Sequence, residues 1–191
     1  MKKLFENFLA PVIMFVWKII KHYWLLAIIV VFVIFVDRLT KDLVQKSLPL
    51  GEMWSPWPWL APYARFVHWY NTGAAFGIFQ GFGGIFTIIA VFVSIAIIYY
   101  FPRVPAEDWT LRIAMGLQMG GALGNMIDRL TQGYVVDFIS IGNFAVFNVA
   151  DSSITVGVLI LLLGVYLQER KKPKPAADAV EADSVEGNQG L

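Results

Sequence analysis

The 191-residue sequence contains no cysteine. That excludes disulfides, thiolate nucleophiles, Cys-ligated zinc and a lipidated cysteine on this chain. Charge is scarce too: charged residues make up 15% against 58% hydrophobic, and the mean hydropathy is +0.63. A soluble domain carries about a quarter charged residues, so this balance belongs to an integral membrane protein. Only two histidines occur. His22 and His68 lie far apart, without neighbours at metal-ligand spacing, and each reads as an interfacial polar tip rather than a ligand or base. A net charge of +1 says little, because where the charges lie matters more than their sum. No internal repeat is visible.

What is present is a series of apolar runs. Residues 1–22 hold a short one, Phe8 to Trp17, flanked by lysines on both sides. It is too short to cross a hydrocarbon core needing about 20 residues. No small-x-small cleavage site follows it, so it reads as an amphipathic helix on the cytoplasmic surface rather than a signal peptide. A first span is expected from Tyr23 to about Lys46, a second over Gly84 to Phe101, a third over Trp109 to Ile127 and a fourth from near Asn148 to Gln168. Lysines before the first span and the basic cluster from Arg170 to Lys174 put both termini in the cytoplasm. The tail beyond is expected to be disordered. Between the first two spans, residues 47–83 carry four prolines and three tryptophans in PLGEMWSPWPWLAPYARF, with a strand expected around Tyr63 to Tyr70. The expected architecture is an all-α membrane protein, a four-transmembrane-helix bundle with a small extracytoplasmic β platform. Its parts are an interfacial extension at 1–22, a membrane domain at 23–168 and a disordered tail at 169–191.

Against this apolar background the acids stand out. Asp128, Asp137 and Asp151 lie between two hydrophobic segments with almost nothing else ionisable, and such acids are functional candidates by default. The alternating directions of the spans bring Asp37, Asn125, Asp128, Asn148 and Asp151 to one membrane depth, together with the 131–147 loop carrying Asp137 and the NTGAAFG turn. Asn125 and Asp128 are three residues apart, as are Asn148 and Asp151, so each pair shares a helical face. Asp151 falls in a first helical turn that favours its charged form, with Asn148 as the cap. Asp137 is flanked by Val135, Val136, Phe138 and Ile139, and burial there would favour its neutral form. Two carboxylates in opposed environments suit aspartyl chemistry. Serine catalysis would need Lys41 or Lys46 to reach Ser140, Ser152 or Ser153, and no motif backs it. A carboxylate metal site would take hard cations only. A transport relay would place its acids at the midplane, whereas these lie at the interface. Gly116, Gly120 and Gly124, four apart, read as a close helix-packing face.

NTGAAFG, GGALGNMIDR, GYVVDF and FNVADSSITVG, in that order across four spans, resemble the bacterial lipoprotein signal peptidases, or signal peptidase II. The resemblance covers about residues 23–168. It implies an inner-membrane aspartyl endopeptidase that cleaves prolipoprotein signal peptides before a diacylglyceryl-modified cysteine, with no metal or other cofactor, and that is sensitive to globomycin. It implies Asp137 and Asp151 as the catalytic dyad, and Asp37, Asn71, Gly73, Asn125, Asp128, Arg129, Asn148 and Ala150 as supporting or substrate-binding residues. Membrane lipids and lipidated precursors are the expected partners of a monomer, with no nucleic acid. Two departures are noted: the loop between Asp137 and Asp151 is short for the family, and both termini lie outside the resemblance. Asp137 is preferred over Asp128 because Arg129, next in sequence, would hold Asp128 permanently ionised.

Overall fold

From Ala10 to Ser47 the chain has no glycine, and its one proline, Pro11, sits in the first helical turn, where a missing N–H breaks no hydrogen bond. The computed structural model, which describes residues 9–73 and 78–171, accordingly shows one helix, α1 (Ala10–Ser47). The expected boundary near Tyr23 between a surface helix and a first span is not a break in the helix. At ~1.5 Å per residue α1 is about 57 Å long, well beyond a hydrocarbon core of about 30 Å. Expectations for residues 1–8, for Ala74 to Gly77 and for the tail from 172 lie outside the described residues.

Pro49 ends the helical region, and strands β1 (Met53–Trp54) and β2 (Ala64–Asn71) follow. Next come α2 (Gly83–Tyr100) with a 3-10 turn at Phe101–Arg103, α3 (Trp109–Gln132), β3 (Val135–Ile141) and α4 (Val149–Lys171). Asp108 caps α3 by accepting from the Leu111 N–H at 3.1 Å. Gly133, at φ +83°, closes its other end in the left-handed conformation that spares glycine a Cβ clash. The chain therefore turns at once from α3 into β3. The sheet is antiparallel in the order β1-β2-β3, with Ala64 opposite Ile141, Asn71 opposite Val135, and an irregularity in register between Phe66 and Trp69.

Among the described residues, three helical segments are long and apolar enough to cross a membrane: Ala10–Ser47, Gly83–Arg103 and Val149–Arg170. Four spans were expected. Helix α3 falls outside that set because its length is diluted by glycines and by Arg112, Gln118, Asn125, Asp128 and Arg129. It is also the helix on which the others pack. Gly116, Gly120 and Gly124 form the face that receives α1: a Cβ would stand 2.8 Å from Ile29, 2.7 Å from Val33 and 2.9 Å from Asp37 Oδ2 respectively. Gly121, one position round, faces α4, and a Cβ there would lie 2.3 Å from the Ala150 carbonyl oxygen. At the other end of the bundle Tyr23 stacks on Phe101 and donates to the Ile98 carbonyl at 2.9 Å, while Arg112 donates to the His22 carbonyl at 3.0 Å.

Ion pairs lock the opposite end. The Lys41 ammonium lies 2.6 Å from Asp37 Oδ2 and 2.7 Å from Asp128 Oδ2, and donates to Asn125 Oδ1 at 2.9 Å. Lys41 is 1% exposed and both carboxylates are fully buried. Arg38 pairs with the other Asp128 oxygen, and the second Asp37 oxygen accepts from the Ala150 N–H at 2.9 Å. The cation beside Asp128 is therefore not Arg129, as sequence adjacency suggested. Successive residues on a helix do not face one another, and Arg129 points elsewhere.

Two outcomes follow for stability in detergent. Gly121→Ala should cost about 1–3 kcal/mol, because the atom it meets is backbone, and should lower the melting temperature. Gly84→Ala, with open space around it, should not. Lys41→Met strands two buried carboxylates, so a loss of about 3–5 kcal/mol is expected. A melting curve matching the parent's would contradict the network described here.

Candidate active site

The segment after α3 was expected to be a loop. It is a strand because Val135, Val136 and Ile139 are β-branched and find a full-length partner in β2. Asp137 sits mid-strand opposite Trp69. The chain then reverses within a few residues. Gly142 takes φ +50°, and Phe147 returns to pair with Ile139 through N–H···O bonds of 2.8 and 3.0 Å. This tight return places Asn148 against Asp137 and starts α4 there.

Asn148 and Asp151 form a reciprocal cap. The Asp151 N–H donates to Asn148 Oδ1 at 3.0 Å, and the Asn148 N–H donates to Asp151 Oδ2 at 3.2 Å. The Asn148 side-chain amide also donates to Asp137 Oδ1 at 2.7 Å, so one residue touches both carboxylates. Asn71, across the sheet, donates to Asp137 Oδ2 at 2.9 Å, and its own oxygen accepts from the Gly73 N–H at 2.9 Å. Asn125 donates to Asp151 Oδ1 at 2.7 Å, while its oxygen accepts from Lys41 and from Asn148. Each of the three amides has its oxygen occupied by a donor, which turns its NH2 toward a carboxylate. Among the described residues, each of the four carboxylate oxygens receives one protein donor and keeps lone-pair capacity for a water or a proton.

Both acids line a cavity of about 740 Å³ enclosed by α2, α3, α4 and the 144–147 return. Burial pushes the Asp137 carboxyl up to about 7, and the neighbouring Asp151 charge adds to it; the amides of Asn71 and Asn148 act in the opposite direction. Arg129 lines the same cavity, donates to the Gly73 carbonyl at 3.3 Å and lies over the Phe86 ring at 5.2 Å. A Cβ at Gly73 would meet the Phe79 carbonyl oxygen at 2.5 Å, so this close approach of the backbone requires glycine.

All ten residues expected from sequence fall in one connected cluster: Asp37, Asn71, Gly73, Asn125, Asp128, Arg129, Asp137, Asn148, Ala150 and Asp151. Asp37 and Asp128 stand behind the cavity rather than on it, bound to Lys41, and Ala150 is the buried link from Asp37 to the start of α4. Sequence reasoning missed Lys41 as the centre of that brace. The signal was available: an Asp and a Lys four apart on an apolar helix form a compensated pair. Lys41 is not poised to activate a serine, and Ser152 and Ser153 donate to the Asn148 and Ala150 carbonyls of their own helix start. His68 is not an interfacial tip either. It is 4% exposed, and its Nδ1 lies 2.8 Å from the Leu48 carbonyl oxygen. Among the described residues, no group of three or more His, Asp or Glu side chains is arranged to hold a metal ion.

Comparison with known proteins bears on the cluster as a whole. A family model described as Signal peptidase (SPase) II matches residues 29–167. A lipoprotein signal peptidase of Bacillus subtilis is 39% identical over 156 residues, covering 80% of this chain and 97% of the relative. The lipoprotein signal peptidase of Streptococcus pneumoniae is 38% identical over 147 residues, covering 76% of this chain and 94% of that protein. A solved bacterial membrane enzyme superposes with a TM-score of 0.72 at 32% identity, covering 78% of this chain and 92% of the other. The apolar helices, the carboxylate pair and these likenesses agree: this integral membrane protein belongs to the signal peptidase II family.

Proposed function

We propose that Asp137 and Asp151 are the catalytic pair of an aspartic endopeptidase that removes signal peptides from prolipoproteins by cutting before the diacylglyceryl-modified cysteine. Removal of prolipoprotein signal peptides is the activity of the family; the aspartyl mechanism and the residue roles are our reading. The observation that carries it is the setting of the two acids. They face one cavity, share Asn148, and receive their hydrogen bonds from amides rather than cations, so a proton can be exchanged between them and a bound substrate.

In this mechanism Asp151 takes a proton from a water molecule, whose oxygen attacks the scissile carbonyl carbon. Asp137 gives its proton to the carbonyl oxygen. Collapse of the resulting gem-diol returns a proton to Asp137, the proton on Asp151 passes to the departing amine, and the C–N bond breaks. The raised affinity of Asp137 for its proton suits the acid role, and the first-turn position of Asp151 suits the base.

The proposed topology has four spans, with α3 added, third in chain order, to the three strongly apolar helices. Its polar side chains are covered by the other helices, which is how a weakly apolar helix can cross. Both termini lie in the cytoplasm, supported by Lys18 and Lys21 near one end and Arg170 near the other. The site then sits close to the outer face of the bacterial cytoplasmic membrane, with exposed Trp54, Trp57 and Trp59 of the platform region at headgroup level. The enzyme acts as a monomer in contact with lipid. Residues 23–168 form the peptidase, with 1–22 a cytoplasmic or interfacial extension and 169–191 a cytoplasmic tail.

Purified protein in lipid, given a lipidated precursor and followed by gel shift, tests this. Asp137→Asn and Asp151→Asn should each reduce turnover by about 10²–10⁴-fold without lowering the melting temperature, while unlipidated precursor should be cut poorly by the parent. Normal cleavage by the Asp137 variant would remove the proposal.

The pH profile provides a separate check. The acid form of Asp137 is lost as pH rises through about 7, so kcat/KM should fall on the alkaline side of that value. Because the pair is coupled, the apparent value belongs to both groups. A rate that climbs steadily from pH 6 to 9 would mean that Asp137 does not supply a proton.

A further inference from the structure

Helix α3 presents Gln118, Ala122, Asn125 and Arg129 to the cavity, a spacing that puts all four on one face. The roles of two are already clear: Asn125 holds Asp151 and Arg129 holds the Gly73 carbonyl. Gln118 lies two turns deeper, about 10 Å along the helix from Asn125. Its surroundings are apolar, with Ile89 and Val93 of α2 and Ile154 of α4 lining the same space. The nearby Thr155 hydroxyl is committed to the Asp151 carbonyl at 2.9 Å. The Gln118 side-chain amide makes no hydrogen bond among the described residues and opens on the cavity. Its stem is braced by the absence of a side chain on Gly157, where a Cβ would lie 2.9 Å from Gln118 Cγ.

Once a substrate covers this part of the cavity, a primary amide left without a partner costs free energy. It carries one acceptor and two donors, the complement of a single peptide unit. For a scissile carbonyl to be open to attack, the chain leading to it cannot remain helical, and an unwound backbone at this depth exposes its own N–H and C=O groups without water to satisfy them. We infer that Gln118 is a substrate-positioning residue, pairing with one backbone peptide unit on the signal-peptide side of the cut and holding that stretch extended. This rests on Asp137 and Asp151 being the cutting pair. The bound class is unwound peptide backbone, and the contact is blind to side-chain identity.

The test measures KM, as mole fraction in lipid, and kcat for Gln118→Met, which keeps an unbranched chain of similar length and removes the amide. KM should rise about tenfold with kcat within about twofold. Precursors in which single amides are replaced by esters then locate the contact. One position should raise KM about fivefold or more with the parent enzyme, and cause no further loss with Gln118→Met. An unchanged KM would overturn the inference, as would ester and Gln118→Met losses that multiply at every position. So would coupling to ether-for-ester replacement in the precursor's lipid, since a lipid ester can only accept. If Gln118→Met does not fold, Gln118→Leu takes its place in the same measurements. Asp151→Asn, assayed in parallel, separates the two readings: cleavage by that variant sinks the catalytic pair, whereas a normal KM for Gln118→Met sinks Gln118 alone.

Discussion

A buried ammonium with two carboxylates is the constraint from which the rest of this structure follows. Lys41, almost wholly removed from solvent, is tolerable there because Asp37 and Asp128 neutralise it and Asn125 takes a further hydrogen bond. Removing any one member would leave a charge without its partner, which costs more than the pair contributes. These residues come from α1 and α3, and Asp37 reaches on to the Ala150 N–H of α4. One polar knot thus sets the rotation and height of three helices at the end of the bundle where the cavity opens. Packing alone could not do that, since glycine faces permit sliding while a fixed set of hydrogen bonds does not.

Amides stand between the knot and the pair proposed as catalytic, Asp137 and Asp151, and keep them out of direct contact. Asn125 accepts from Lys41 on one side and donates to Asp151 on the other. Asn71 is oriented by Gly73 and donates to Asp137. Among the described residues no cation touches Asp137 or Asp151; Lys41 and Arg129 act on the two carboxylates only through space, and the hydrogen bonds the pair receives come from amide groups. An acid in direct contact with an ammonium would be held ionised and could not take part in proton exchange at neutral pH. The structure separates three roles among five aspartates and asparagines that look alike in sequence: Asp37 and Asp128 as counter-ions, Asn125 and Asn71 as donors, and Asn148 as the bridge.

Much of this was legible before any coordinates. The scarcity of charge marked the membrane class, the three-residue spacing of Asn148 and Asp151 marked a capped helix start, and the Gly116–Gly120–Gly124 repeat marked the face that α1 occupies. What was not legible shares one physical cause, dependence on tertiary partners. Asp137 read as a loop residue because a seven-residue strand is a strand only when another lies beside it, and β2 is more than sixty residues away. Asp128 was paired by adjacency with Arg129, although neighbours on a helix diverge by about 100°. His68 read as an interfacial polar tip because nothing in the sequence shows that its ring is buried and meets the Leu48 carbonyl, twenty residues earlier. That the helix of residues 10–22 runs on unbroken into the first span was missed for the opposite reason: length limits drawn from a bilayer do not limit a helix that runs past it.

The sharp return between Ile141 and Phe147 has a consequence for mechanics. Asp137 and Asp151, the acids proposed as catalytic, are only fourteen positions apart on a continuous stretch, and the cross-bridge from Ile139 to Phe147 shortens even that tether. Tilting of the long helices, as a bilayer thickens or thins, moves both acids together because strand, return and helix start are tied into a single piece. Their spacing is set by the short-range covalent path, leaving the bundle free to breathe without altering it.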